Sequence, residues 1–439
     1  MIKRDLEKKL LEWKTDAHHM PLLLRGARQV GKSHTVEAFG AREFKHCITV
    51  NFEFQPELKT AFNSLDPKKI VAKLELLTER EIKAGQTLLF LDEIQECPNA
   101  ILALRYFKEQ WPELHIVGAG SLLEFIFHDE QFRMPVGRVQ FLHLYPLSFE
   151  EFLEATGHKK WRDYLASVTF SSPPDASMHQ TLLELIRLYM ITGGMPAVVH
   201  RYVTDSTFSS SLVLQSAILQ SYANDFSKYS QKTAHAHIQE IYKKIPGVIA
   251  QNLKYSSLSP HLRSFQIKDA LEKLIQAGLV HRVTASTASG IPLGATARDS
   301  RQKLLFIDIG LLQHALGLDG KSALSDPILQ INAGSLAEQF VGQELLAYGP
   351  SDQKQELFFW FRDKKNSQAE IDYIIQVGNR LIPVEVKAGK TGQLRSLQVY
   401  LQEKNSPLGI RISEHPLSKN DRILSIPLYL ISHISRLCQ

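Results

Sequence analysis

The chain has 439 residues, 44% of them hydrophobic and 22% charged, with a formal net charge of +5. That length exceeds one ordinary core and sets an expectation of about two to four domains. No run approaches the roughly 18 apolar residues that span a bilayer. The three cysteines, Cys47, Cys97 and Cys438, fit no metal spacing. The charged stretch Met1–Leu11 lacks the apolar core of a signal peptide, so a cytoplasmic location away from membranes is expected. The basic balance is compatible with nucleic acid and selects no partner.

Residues 1–19 read as a charged amphipathic helix leading into a short strand at 21–25. Gly26-Ala27-Arg28-Gln29-Val30-Gly31-Lys32-Ser33 then completes G-x-x-x-x-G-K-[ST], and His34 continues into a helix running through about Phe39. Glycines at these positions let backbone N–H groups approach phosphate oxygens. Lys32 can reach the β and γ phosphates, Ser33 can ligate Mg²⁺, and the helix presents its positive end to the anion. ATP with Mg²⁺ is therefore the expected ligand. A second strand covers 46–52, and a helix is expected over 67–84 with Ile70, Leu74, Leu76 and Leu77 apolar. Gln86–Leu91 carries no charge, as a central parallel strand buried on both faces does. Asp92-Glu93 falls at its carboxyl end, where open α/β sheets bind ligands. Asp92 is expected to hold Mg²⁺ and Glu93 to polarise an attacking water. A capping pair at a helix start is the alternative.

A helix near 99–110 and a strand over Leu114–Ser121 follow. Ser121 has two readings, a γ-phosphate sensor or a strand-end cap. Met134–Val139 precedes a further strand. Arg25–Ser33, Phe90–Gln95, Gly120-Ser121, Gly137-Arg138 and Pro146–Phe152 together resemble a prokaryotic AAA-type ATPase family whose members carry a C-terminal domain of unknown function. The resemblance implies an ATPase core of the additional-strand, catalytic-glutamate class. It also implies that Arg138 contacts the γ-phosphate, in cis or from a neighbouring subunit of a homo-oligomer.

The Pro/Ser-rich Ser171–Ser177 reads as linker. Leu182–Met190 is helical, and Gly193-Gly194-Met195-Pro196 also resembles the family, breaking one helix from the next without evident chemistry. Residues 210–255 are mostly helical; His235 and His237 lack a one-face metal spacing. Phe265–Ala277 is an amphipathic helix stopped by Gly278, followed by a strand at Leu279–Val283, a tip at 284–300 and a strand at Lys303–Asp308. Helix and hairpin resemble a winged-helix module. Lys268, Lys273, Arg298, Arg301 and Lys303 would be its phosphate contacts if it meets DNA; protein contact or plain spacing are equal alternatives.

After Asp326-Pro327 a helix over Gly334–Leu346 carries Glu338. A strand near 357–361 precedes a hairpin, Ala369–Val377 and Leu381–Ala388 about a Gly378-Asn379 turn. Glu385 and Lys387 share a strand face, and Asp372 reaches the same face across a tight turn. Asp372, Glu385 and Glu338 can offer oxygens to a hard divalent cation, with Lys387 beside a water. This is the pattern of the PD-(D/E)xK nuclease superfamily, except that Ile371 stands where that family has proline. Fold does not establish activity.

The expected fold class is α/β with three domains. They are an AAA-type P-loop ATPase with a parallel sheet at 1–165, a helical region with a winged-helix module at 166–325, and a PD-(D/E)xK nuclease-like domain at 326–439. The leading expectation is an ATPase whose cycle governs a C-terminal DNA-binding or DNA-cleaving module. Its rivals are a slow ATPase switch that recognises a protein partner, with the nuclease shape inactive, and a P-loop phosphoryl transferase.

Overall fold

Five short apolar runs near the amino terminus become five strands: β1 (Leu22–Arg25), β2 (His46–Asn51), β3 (Thr87–Asp92), β4 (His115–Ala119) and β5 (Gln140–His143). The structure, a computed structural model, describes residues 2–127, 132, 137–226, 232–318, 333–362, 369–388 and 394–439. Met134–Val136, Asp326 and Pro327 lie outside the described residues. All neighbouring pairs of the first sheet are parallel, in the order β2-β3-β4-β1-β5. β4 is thus the additional strand between the one that feeds the phosphate loop and the one that ends in Asp92. Every residue of β3 and β4 is buried, as strands covered on both faces must be. Chain contacts define two compact units. The first comprises Met1–Tyr145 with Gln276–Gly278 and Pro350–Lys354; the second comprises Pro146–Ile275, Leu279–Gly349 and Gln355–Gln439.

In the first unit, Leu23, Ile48, Val50, Leu89, Leu91 and Ile116 of the sheet pack with Ile70, Leu74, Ile101, Leu104 and Phe107 of the helices. The helix after the loop runs Lys32–Glu43, past Phe39. The helix expected over 67–84 spans only Pro67–Thr78. Glu79 turns left-handed there (φ 54°), and the Glu75 carboxylate accepts the Ile82 N–H at 2.7 Å, folding the chain back. Ile70 and Leu74 are buried, but Leu76 is 80% exposed, so it belongs to the solvent face. The amino-terminal helix is limited to Leu6–Thr15.

The second unit is built on a mixed eight-stranded sheet. Its strands are β6 (Val280–Ser286), β7 (Ala297–Phe306), β8 (Leu357–Phe361), β9 (Glu370–Val377), β10 (Arg380–Val386), β11 (Gly409–Ser413), β12 (Ser418–Asn420) and β13 (Ile423–Pro427). The order is β12-β13-β11-β10-β9-β8-β6-β7. The hairpin read as a wing is not free-standing. β6 pairs with β7 antiparallel on one side and with β8 parallel on the other, so wing and C-terminal strands share one sheet.

The helix Ala333–Ala347 carries a buried polar stripe, Gln339, Gln343 and Glu344. Gln339 exchanges both amide bonds with the Phe306 backbone, and Gln343 accepts the Ile309 N–H. Glu344 accepts the Phe149 N–H at 3.0 Å and lies 3.1 Å from the Tyr189 hydroxyl oxygen. The Gly193-Gly194 break belongs to this network. Helices Ala176–Thr192 and Pro196–Asp205 bend by 116° there. Gly194 donates to Asp308 and accepts from Leu147, and a Cβ on it would stand 2.2 Å from the Leu147 oxygen. Among the described residues no single helix is long and apolar enough to cross a membrane.

Candidate functional site

The phosphate loop leaves β1 at Arg25 and closes at Gly31, whose φ of 94° suits glycine, before the helix begins at Lys32. Lys32 is buried, and its ammonium donates to the Gly26 and Ala27 carbonyls at 2.9 and 2.8 Å. Burial pushes that ammonium down to about 8, against the pull of Glu93 and Asp92. The Ser33 hydroxyl donates to Asp92 Oδ1 at 2.9 Å. Burial raises the Asp92 carboxyl, and the Ser33 bond opposes it. Glu93 takes a left-handed conformation (φ 47°) just past β3, and Gln95 donates to its Oε2 at 2.7 Å. Lys32, Ser33, Asp92 and Glu93 are therefore brought together at the carboxyl edge of the sheet. The hydroxyl and carboxylate oxygens of Ser33 and Asp92 are hard donors of the kind Mg²⁺ takes beside nucleotide phosphates, so the residues fit that ion.

The rest of the loop stands around this centre. Ala27 and Val30 are buried, Gln29 has a φ of 66°, Arg28 pairs with Glu53 at 3.5 Å, and His34 is exposed. Ser121 is buried just beyond β4. Arg138 is not brought to the loop within this chain. It precedes β5 and pairs with Glu109 at 3.0 Å, near the end of the helix that leads into β4. Both positions lie at the amino edge of the parallel sheet, opposite the loop, so the in-cis reading of Arg138 is corrected.

Three residues to which the sequence reading gave no site role complete the first site. Asn51, ending β2, donates to Asp92 Oδ2 at 2.9 Å, and its oxygen accepts the Glu53 and Phe54 N–H groups. Gln95 aims Glu93. Buried Arg4 donates to the Val30 carbonyl of the loop at 2.9 Å and to Tyr145 at 2.7 Å. Asn51 had a signal, since it ends the strand beside the one carrying Asp92. Arg4 and Gln95 had none.

In the second unit Glu338, Asp372, Glu385 and Lys387 also come together. Asp372 Oδ2 accepts the Val386 N–H at 2.7 Å, which ties β9 to β10. Lys387 donates to Glu385 Oε1 at 2.6 Å, and the buried Glu385 Oε2 has no hydrogen-bond partner among the described residues. The sequence reading missed the centre of the cluster. Lys303 reads in the sequence as a surface charge, a phosphate contact if the module meets DNA, yet its side chain is 3% exposed. Its ammonium lies 2.6 Å from Glu370, 3.1 Å from Glu338 and 3.6 Å from Asp372. Burial works to discharge Lys303, but the three carboxylates outweigh it and hold the charge. Burial, then the neighbouring Asp372, pushes Glu338 up to about 8 and Glu385 up to about 7; burial also raises Asp372. Among the described residues no three His, Cys, Asp or Glu side chains converge as a metal site. With an ammonium among its carboxylates, the C-terminal cluster as arranged does not fit a divalent cation. Of the other basic residues read as phosphate contacts, Lys273 on the helix before the hairpin pairs with Asp269, and Arg301 on β7 stacks 4.0 Å over Phe361.

Residues 18–153 match a family described as AAA domain. Residues 183–322 match Domain of unknown function (DUF8612), and residues 333–431 match Domain of unknown function (DUF4143). No curated protein matches the chain. Among solved structures, the chain is similar to the Aeropyrum pernix ORC1 protein in complex with DNA, with 14% identity, 72% of this chain and 90% of that one covered, and a TM-score of 0.31. It is similar to the Thermotoga maritima RuvB Holliday junction branch migration motor at 17% identity, covering 64% and 90%, TM-score 0.31. AMPPCP-bound DnaA from Aquifex aeolicus aligns at 14% identity, covering 63% and 90%, TM-score 0.24. The parallel sheet, the loop geometry and the AAA domain match agree: the amino-terminal part of the chain is an AAA-type P-loop ATPase domain.

Proposed function

We propose that this chain binds ATP with Mg²⁺ at Gly26–Ser33 and hydrolyses it, with Glu93 orienting the attacking water. The observation that carries the reading is the Ser33–Asp92 bond at 2.9 Å, with Glu93 next in sequence and held by Gln95. Lys32 exchanges its loop carbonyls for phosphate oxygens. Ser33 and Asp92 would hold Mg²⁺, which would supply charge neutralisation for the phosphates. Asn51 holds Asp92 from the opposite side. Glu93→Gln keeps ATP binding, read by a fluorescent nucleotide, and slows turnover by about 10²-fold or more. Turnover at the wild-type rate in that variant refutes the assignment.

The nucleotide cycle, on this reading, governs the second unit. Lys303 within the carboxylate cluster favours a module that recognises a partner over one that cuts. If that partner is DNA, held by Lys268, Arg298 and Arg301, affinity falls steeply as salt rises. Absence of DNA binding even at low salt leaves a protein partner. Arg138, exposed at the amino edge, serves a neighbouring subunit only if the chain assembles; light scattering with and without ATP tests that.

A further inference from the structure

Four carboxylates and two lysines meet where β7, β9, β10 and the helix Ala333–Ala347 pack. Glu370 and Asp372 are two apart on β9 and so share a face, and Glu338 approaches from the helix. Lys303 enters from β7, the edge strand of the sheet. Its ammonium is 2.6, 3.1 and 3.6 Å from Glu370, Glu338 and Asp372, and 5.3 Å from the centre of the Phe359 ring. The second Glu370 oxygen accepts from Asn252 at 2.7 Å, and Glu385 is met by Lys387 at 2.6 Å.

A buried ammonium is tolerated only when paired, and one partner would suffice for that. Three carboxylates around one ammonium instead supply the hard oxygens a divalent cation takes, though with Lys303 in place they are not spaced to hold one. We propose that Lys303 fills this cluster as a permanent part of the fold, in the position a divalent cation would need, so that the C-terminal module works without bound metal. Lys303 joins the edge strand to the helix and to β9, the service a structural ion performs elsewhere. The inference concerns the second unit alone and stands whether or not the first hydrolyses ATP.

The test is Mn²⁺ binding to the full chain, read by electron paramagnetic resonance without nucleotide. An Asp92→Asn background silences the phosphate-loop site. With Lys303 intact, no bound Mn²⁺ depends on Asp372. Lys303→Met gains one bound Mn²⁺ per chain, and adding Asp372→Asn abolishes it. Lys303→Gln, which keeps a donor toward Glu370, replaces Met if circular dichroism shows that variant unfolded. Mn²⁺ bound to the Lys303-intact chain and lost with Asp372→Asn overturns the proposal. So does a folded Lys303 variant that binds none.

Discussion

Gly194→Ala is expected to cost the second unit a large part of its stability. The new Cβ would lie 2.2 Å from the Leu147 oxygen and 2.9 Å from the Leu147 nitrogen, both backbone atoms that cannot swing aside. Relief requires one segment to move, and three bonds are anchored there. Leu147 donates to the Gly194 oxygen at 2.7 Å, Gly194 donates to Asp308 Oδ2 at 2.6 Å, and the Tyr189 hydroxyl donates to the Leu147 oxygen at 2.5 Å. Overpacking costs about 1–3 kcal/mol, and weakening two neutral bonds and one to a buried carboxylate brings the loss to about 4–6 kcal/mol, against about 5–15 kcal/mol for a whole domain. Urea denaturation followed by circular dichroism measures it as a fall in transition midpoint at constant slope. Gly247→Ala is the control: its Cβ meets nothing within 4 Å, and a change within about 0.5 kcal/mol is expected. If Gly194→Ala unfolds at the same midpoint as Gly247→Ala, the packing argument is wrong.

Two further outcomes concern protons. Lys32 sits at about 8 because of burial, and its charged form pairs with phosphate. ATP affinity therefore declines as pH rises through that value, by up to about tenfold per pH unit above it; a flat fluorescent-nucleotide titration across that range counts against the pairing. In the first unit, burial lowers His115 and His143 to about 4 from an ordinary 6.5. Their folded-state values are depressed, so the unfolded chain takes up more protons as pH falls below 6.5, and stability is lost progressively toward 4. His115 stacks on His19 and meets Trp13 and Phe44 edge-on, so His115→Phe keeps an aromatic ring there while removing one proton site. It should flatten the dependence of melting temperature on pH between about 6.5 and 4.5, and an unchanged slope rejects the assignment.

Much of the first site was legible because its parts are local. Gly26–Ser33 is one contiguous turn whose backbone geometry follows from its own glycines, and Asp92-Glu93 closes a run too apolar to be anything but a central strand. Asp372 and Glu385 were legible together because a two-residue turn and strand alternation determine which face each one takes. Lys303 misled for the same reason: within its own hairpin it reads as a surface charge on a wing. Its surroundings come from Glu338 and Glu370, which no local pattern connects to it. For Arg138 the two alternatives could not be separated in the sequence, since a motif carries no record of which edge of the sheet it reaches.

By itself, then, the chain's sequence determined a phosphate loop, an acidic strand end, and a hairpin with carboxylates on one face. Each is written in short-range spacing, where backbone stereochemistry leaves few alternatives. Tertiary structure alone decided that the supposed wing joins the C-terminal sheet, that Gly193-Gly194 is a close approach against Leu147 and Asp308, and that a lysine occupies the middle of the carboxylate cluster. Those are contacts between segments far apart in sequence, set by which buried polar groups can satisfy one another once the elements pack.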